Sequence, residues 1–338
     1  MITRRRVAVA TVGALVALVA VGMVALLLGA APIRFGDVAR ALTGRAIPET
    51  TASIVLSLRL PRVLLGALAG AGLAVAGAAF QALTRNPLAD PAVLGVASGA
   101  ALGAVVGQIV GFEGTLLATI GLSAVSFAGA LLAATAVYLI ATSDGRMPIQ
   151  TLLLAGVITG LFFSSAITLV ISLVDASRLG GILHWLMGSL GTLGYRPVAV
   201  MALGGAVGGG VIYAEARALN LLALGEEAAR QLGVDAERVK RVVFVAASLL
   251  TGLVVAHTGP IGFVGLVVPH AVRLSVGPDN RLLIPLSAGT GATFLVVADT
   301  LARLVVRPAE LPVGVITAFF GAPFFIYLLR TRLRQGLA

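Results

Sequence analysis

The chain has 338 residues, of which 59% are hydrophobic and only 11% charged; water-soluble domains carry about 25% charged residues, so a soluble globular protein is excluded. The formal charge is +10, but the arginines are scattered between apolar runs and Lys240 is the sole lysine, so the clustered basic face of a nucleic-acid binder is missing. The absence of cysteine excludes a disulfide framework and thiolate metal sites.

A hydrocarbon core about 30 Å thick takes roughly 20 apolar residues per helix. That length divides the chain into ten spans, at 7–29, 60–83, 92–110, 115–140, 151–173, 195–214, 242–258, 261–276, 282–304 and 312–329. The first follows Arg4, Arg5 and Arg6 and is longer than the apolar core of a signal peptide. The polar segment 31–58, with Arg34, Arg40 and Arg45, reads as an outer connection containing a short interfacial helix. Span two opens with RLPR at 59–62. Arg59 and Arg62 are spaced i,i+3 and are expected to share a face at the outer boundary, either snorkelling to headgroups or meeting an acidic partner.

Span two closes on Asn86, Pro87, Leu88, Ala89, Asp90 and Pro91, a composition that makes a rigid turn and a candidate constriction. The third and eighth spans are short and contain Gly or Pro, so broken or tilted helices are expected there. Between spans six and seven lies the one long hydrophilic stretch, Glu215 to Arg241. It reads as helix, turn, helix: a break at Leu224-Gly225, a short helix over Glu226–Leu232, a stop at Gly233 and a cap at Asp235 for the next helix. Two short helices in 27 residues is more order than a connector needs.

Residues 259–270, GPIGFVGLVVPH, hold three glycines and two prolines. The irregular backbone expected there is tolerated at membrane depth only where protein or a cavity shelters it. In span nine Asp299 and Arg303 are spaced for an intrahelical ion pair. The stretch GLAVA at 72–76 recurs as GLVVA at 252–256 on a span of opposite direction, the arrangement of an inverted repeat. With Arg4–Arg6 inside, both termini are cytoplasmic and 15 of the 24 basic residues lie on that side.

The chain contains no GxxxxGK[ST] P-loop, so any ATP dependence comes from another polypeptide. No nucleophile–base pair or metal cluster stands out. An ion-coupled secondary transporter of a small organic solute needs intramembrane acids; the sequence offers essentially Asp299, and 215–241 is then without a role. A membrane enzyme needs convergent polar groups at the interface, and none is seen.

Eight motifs, in one order along nearly the whole chain, carry a family resemblance: RLPR (59–62), GAAFQALTRNPLADPAVLGVASGA (77–100), LLLAGV (152–157), HWLMGSL (184–190), LGEEAARQLGV (224–234), GPIGFVGLVVPH (259–270), ADTLAR (298–303) and ELPVGVITAFFGAPFFIYLL (310–329). By them the chain resembles the permease subunits of type II ABC importers for ferric siderophores, haem and cobalamin. The resemblance implies an all-α membrane protein with a cobalamin-permease-like fold, a single domain over 1–338 and about ten helices per subunit. It also implies a homodimer in the cytoplasmic (inner) membrane, in contact with lipid, with two cytoplasmic ATPase subunits and an extracytoplasmic substrate-binding protein as partners.

On the same resemblance the chain is not itself an enzyme, binds no metal or nucleic acid, and leaves ATP and Mg to the ATPase. Gly225, Glu226, Glu227, Ala228, Arg230, Gln231, Leu232 and Gly233 match the ATPase-coupling helices of the segment 215–241. Arg59, Arg62 and Arg303 match the arginines that meet acidic residues of the binding protein. Asn86, Pro87 and Leu88, facing Ile149 and Gln150, match a cytoplasmic gate. The cobalamin permease has small hydroxyl residues where this chain has Ile149 and Gln150, a departure that weakens the cobalamin assignment; family frequency favours a ferric siderophore, with haem and cobalamin as the alternatives. The translocation path is expected along the Ala/Gly-rich face of span two and near Ser164 and Ser165.

Overall fold

The computed structural model describes residues 4–29, 31–111, 116–191, 194–306 and 309–335. Among them the regular structure is helical apart from one bridge between Ser143 and Arg146. The elements are α1 (Arg4–Leu27), α2 (Phe35–Leu42), α3 (Glu49–Ala52), a π-helical stretch (Ser53–Arg59), α4 (Leu60–Thr84), a 3-10 turn (Pro91–Leu94), α5 (Val96–Val110), α6 (Leu116–Ala141), α7 (Ile149–Ser172), α8 (Ala176–Leu186), α9 (Arg196–Ala214), α10 (Ala216–Leu222), α11 (Glu226–Gln231), α12 (Ala236–Thr258), α13 (Val264–Val276), α14 (Asn280–Leu304) and α15 (Val313–Gln335).

Each of the ten expected spans falls on a helix. Among the described residues seven helices are long and apolar enough to cross a membrane, and shorter apolar helices occupy the third, eighth and tenth positions. Two features go beyond the expected spans. Helix continues from Glu49 through the π-helical stretch into α4, so span two begins about ten residues before Arg59. The helix that Asp235 is expected to cap starts at Ala236 and runs unbroken into span seven, with the Asp235 side chain accepting from the Arg238 amide at 3.0 Å. Helix α8, between spans five and six, is an element the span count missed. The expected interfacial helix is α2, which buries Val38 and Ala41 and exposes Phe35.

Helix α4 is the axis of the bundle and packs against α9, α12, α13 and α14. Its small residues set the spacing. A Cβ on Gly70 would collide with the Gly291 carbonyl of α14, and one on Gly77 with the Gly265 carbonyl of α13. Such backbone contact is how membrane helices gain packing energy when lipid removes the hydrophobic drive between them. This corrects the expected path: the Ala/Gly face of α4 is an internal packing surface. Ser164 and Ser165 are exposed on α7, and the largest exposed apolar side chains of the bundle include Phe162 on α7 and Phe319 on α15.

The backbone between α12 and α13 is irregular, as its composition requires, with positive φ at Gly259 and Phe263. It is sheltered by protein. The Ser189 amide donates to the Thr258 carbonyl at 2.7 Å, and Gly259 lies directly against the Trp185 carbonyl. A groove of about 630 Å³ between this segment, the end of α8 and α15 is lined mainly by apolar groups, among them Met187, Pro260, Gly314 and Phe319.

Candidate functional site

Charged residues gather at the two opposite ends of the bundle. At one end lies the hydrophilic segment between α9 and α12, with the local structure its residues dictate. Gly225 has φ +113°, a conformation that L side chains rarely adopt, and it starts α11; Gly233, at φ +82°, follows its end. Glu226 and Glu227 occupy the first turn and Arg230 the last, each with the sign that the helix dipole favours. Leu222, Ala229 and Ala236 are buried beneath the segment. Above them Leu224 (68% exposed), Glu227, Arg230, Gln231, Leu232 (59% exposed) and Gly233 form an open surface. Ala228 is half-buried.

Glu226 points inward instead. It meets Lys240, whose ammonium also pairs with Glu237 at 2.7 Å and donates to the Met147 carbonyl at 2.9 Å. The Met147 amide donates to Glu237 Oε2 at 2.9 Å. Lys240 is only 2% exposed, and all three of its donors have a nearby acceptor. The Met147 backbone is held at both its donor and its acceptor. It ends a tight turn in which Asp144 and Gly145 have positive φ and Ser143 and Arg146 exchange backbone hydrogen bonds, the geometry favoured by Asp-Gly.

A second tie joins α10 to the start of α14. Asn220 donates to Asp279 at 2.7 Å and accepts from the Asn280 amide at 2.8 Å. Asp279 is held down to about 2, chiefly by the hydrogen bond from Arg281, with burial acting in the opposite direction.

The candidate gate is at the same end. Arg85 takes a left-handed conformation after α4, Asn86 Oδ1 accepts from the Leu88 amide at 2.9 Å, and Asp90 Oδ1 accepts from the Ala92 amide at 2.7 Å. The turn is thus built by its own side chains, as its composition requires. The 3-10 turn then packs on α7: a Cβ on Gly156 would press on Leu94. Ala89, Leu94, Leu152 and Ala155 share one buried cluster. Leu88 and Gln150 are exposed, Asn86, Pro87 and Ile149 half-buried. The two segments of the candidate gate are therefore brought to neighbouring parts of the structure.

At the opposite end are the three arginines. Arg59 and Arg62, spaced i,i+3, take different partners within one cluster. Arg59 is 6% exposed and donates to the carbonyls of Leu26, at 2.7 Å, Leu27 and Ala31, closing the C-terminal end of α1. Arg62 grips Asp299 with Nε and Nη2, at 3.0 and 2.8 Å, and reaches the exposed Glu310 with Nη1 at 2.7 Å. Arg303 makes the expected i,i+4 pair with Asp299 at 3.1 Å and also donates to the Leu28 carbonyl at 3.2 Å. Among the described residues the cluster has three cations and two carboxylates, an excess of one positive charge.

The missed residues are Lys240, Glu237 and Met147 at one end and the sharing of Asp299 by Arg62 at the other. Only Lys240 left a signal: it is the one lysine in an arginine-rich chain, three residues after Glu237 on a helix.

The model of the FecCD transport family matches residues 17–331. The chain is 47% identical over 303 residues to a cobalamin import system permease protein, BtuC, of Halobacterium salinarum, covering 90% of this chain and 78% of that one. It is 39% identical over 286 residues to the hemin transport system permease protein HmuU of Yersinia pestis, covering 83% and 84%. It is 40% identical over 312 residues to the iron(3+)-hydroxamate import system permease protein FhuB of Bacillus subtilis, covering 92% and 79%. Its backbone matches a solved metal-chelate type ABC transporter in an inward-facing conformation with a TM-score of 0.84 at 30% identity, covering 95% of this chain and 98% of that one.

Proposed function

The chain belongs to the FecCD transport family, and from that premise we propose that it is the membrane-spanning permease subunit of an ABC importer of a metal chelate. The observation that carries the reading is the α10–α11 segment. It presents a small, exposed, ordered helix, tied down from beneath, in a chain that has no nucleotide motif of its own. Such a platform suits a groove on a separate ATPase.

In this reading two copies of the chain form the permease, and two ATPase subunits bind at the α10–α11 end, which is cytoplasmic along with both termini. A soluble binding protein delivers the chelate to the other end. ATP binding draws the ATPase subunits together, the α11 helices follow, and the dimer alternates between outward- and inward-open forms. Asn86, Pro87, Leu88, Ile149 and Gln150 form the cytoplasmic gate. Arg62, with the surplus positive charge of the cluster that contains Arg59 and Arg303, attracts acidic groups of the binding protein. The ion-coupled alternative has essentially Asp299 as its intramembrane acid, and that carboxylate is engaged by Arg62 and Arg303.

For the cargo we propose a ferric siderophore: the Ile149–Gln150 pair stands where the cobalamin permease has small hydroxyl residues, which weakens cobalamin, and relatives are named for iron(3+)-hydroxamate and Fe(3+)-citrate import. The relative named for cobalamin argues the other way. The test is uptake by proteoliposomes holding the permease, its ATPase and its binding protein, loaded in turn with a ferric hydroxamate, haem and cobalamin. ATP-dependent uptake of the ferric chelate supports the whole reading. Uptake of haem or cobalamin instead replaces only the cargo, and uptake of none overturns the importer.

A further inference from the structure

The buried Lys240 cluster joins three pieces of chain: α11 through Glu226, the first turn of α12 through Glu237, and the turn before α7 through both backbone groups of Met147. Pro148 follows Met147, and α7 begins at Ile149. Pro148 alone therefore separates the clamp from the gate positions Ile149 and Gln150. The 3-10 turn that follows the opposite wall of the gate, Asn86–Leu88, is packed on the same α7 through Leu94 and Gly156.

We infer that Lys240 is a positioning residue that locks α11 to the start of α7, so that a push on α11 is delivered to the gate as a rigid displacement. The inference rests on the importer reading, which supplies the push. Three features suit a mechanical link. The ammonium is 2% exposed, so water does not screen it. It meets two carboxylates and a carbonyl at once, which fixes direction as well as distance. Met147, itself 1% exposed, is held at N and O, so the turn cannot pivot about a single bond. A surface ion pair with one exposed partner would lack all three.

The inference separates from a purely structural role because it concerns motion. The chain has no cysteine, so Ala223→Cys, beside the start of α11, and Thr151→Cys, in the first turn of α7, both exposed and outside the docking and gate residues, take spin labels cleanly. In the assembled importer a rigid clamp keeps the α11–α7 label distance unchanged between the nucleotide-free and ATP-bound states. A change approaching one helical turn, about 5 Å, overturns the inference without any substitution at Lys240.

The second measurement is substrate moved per ATP hydrolysed. Lys240→Gln keeps a donor but removes the charge, and Lys240→Arg restores it. The Gln variant is expected to retain ATPase assembly and ATP turnover while substrate per ATP falls about tenfold, with partial recovery in the Arg variant. Unchanged substrate per ATP in a folded Lys240→Gln importer overturns the inference. Failure of the unmodified permease to bind any ATPase would instead overturn the importer reading beneath it.

Discussion

The two ends of the bundle bury charge in opposite ways. At the Arg59 end, planar guanidinium forks reach several acceptors each, capping the last carbonyls of α1 and holding α4 to α14 through Asp299. That suits arginine, whose rigid fork is pre-organised for several bonds. At the α11 end a single ammonium is the pivot, and its partners are one short surface helix and one turn. The first cluster ties spans to one another. The second ties a surface segment to the bundle. Buried charge thus secures membrane architecture at one end and a partner-facing platform at the other.

The largest effect expected from breaking this comparison is at Asp299. Asp299→Ala leaves two arginines without their shared carboxylate, and removing one partner from a buried ion pair costs about 3–5 kcal/mol. Thermal unfolding in detergent should show that loss. A variant as stable as the parent would mean that the Arg59 end is held together by packing alone.

A smaller loss is expected at the centre, where charge plays no part. Gly70→Val forces α4 and α14 apart at the Gly291 carbonyl, an overpacking cost of about 1–3 kcal/mol. The same unfolding measurement ranks it below Asp299→Ala.

The smallest effect is pH-dependent and belongs to the α11 end. Asp279 lies at about 2 in the folded protein against a usual 3.8. Its folded value is depressed, so its contribution is complete above about pH 4 and is lost as pH falls through about 2. Asp279→Asn removes that contribution. The stability difference between parent and variant should shrink on acidification across this window, and a constant difference would assign the loss to the Asn220 hydrogen bond instead.

Much of the fold was legible because its causes are local. Span lengths follow from the hydrocarbon thickness, and Gly225, Gly233 and Asp235 mark helix ends through backbone conformation and capping. The Asn86–Asp90 turn is built by its own side chains, so composition revealed it. The clusters were less legible because their partners are remote. Arg62 and Asp299 stand 237 residues apart and Lys240 and Met147 93 residues apart, and no spacing rule spans such distances. Of the Asp299 contacts only the i,i+4 partner, Arg303, was within reach of one. The coupling set shows the same division: Glu226 and Glu227 are neighbours in sequence, yet Glu226 turns inward to Lys240 while Glu227 stays exposed.

That division selects the measurement that tests the central claim most directly. Glu226 is unsuitable, because reversing it would place a cation against buried Lys240. Glu227→Arg with Leu232→Asp alters only the exposed face of the platform, where substitutions usually change stability by less than about 0.5 kcal/mol. Co-purification of the ATPase with the folded, dimeric double variant should fall about tenfold or more relative to the parent. Equal recovery of the ATPase with both proteins would contradict the assignment of the α10–α11 end as its docking platform.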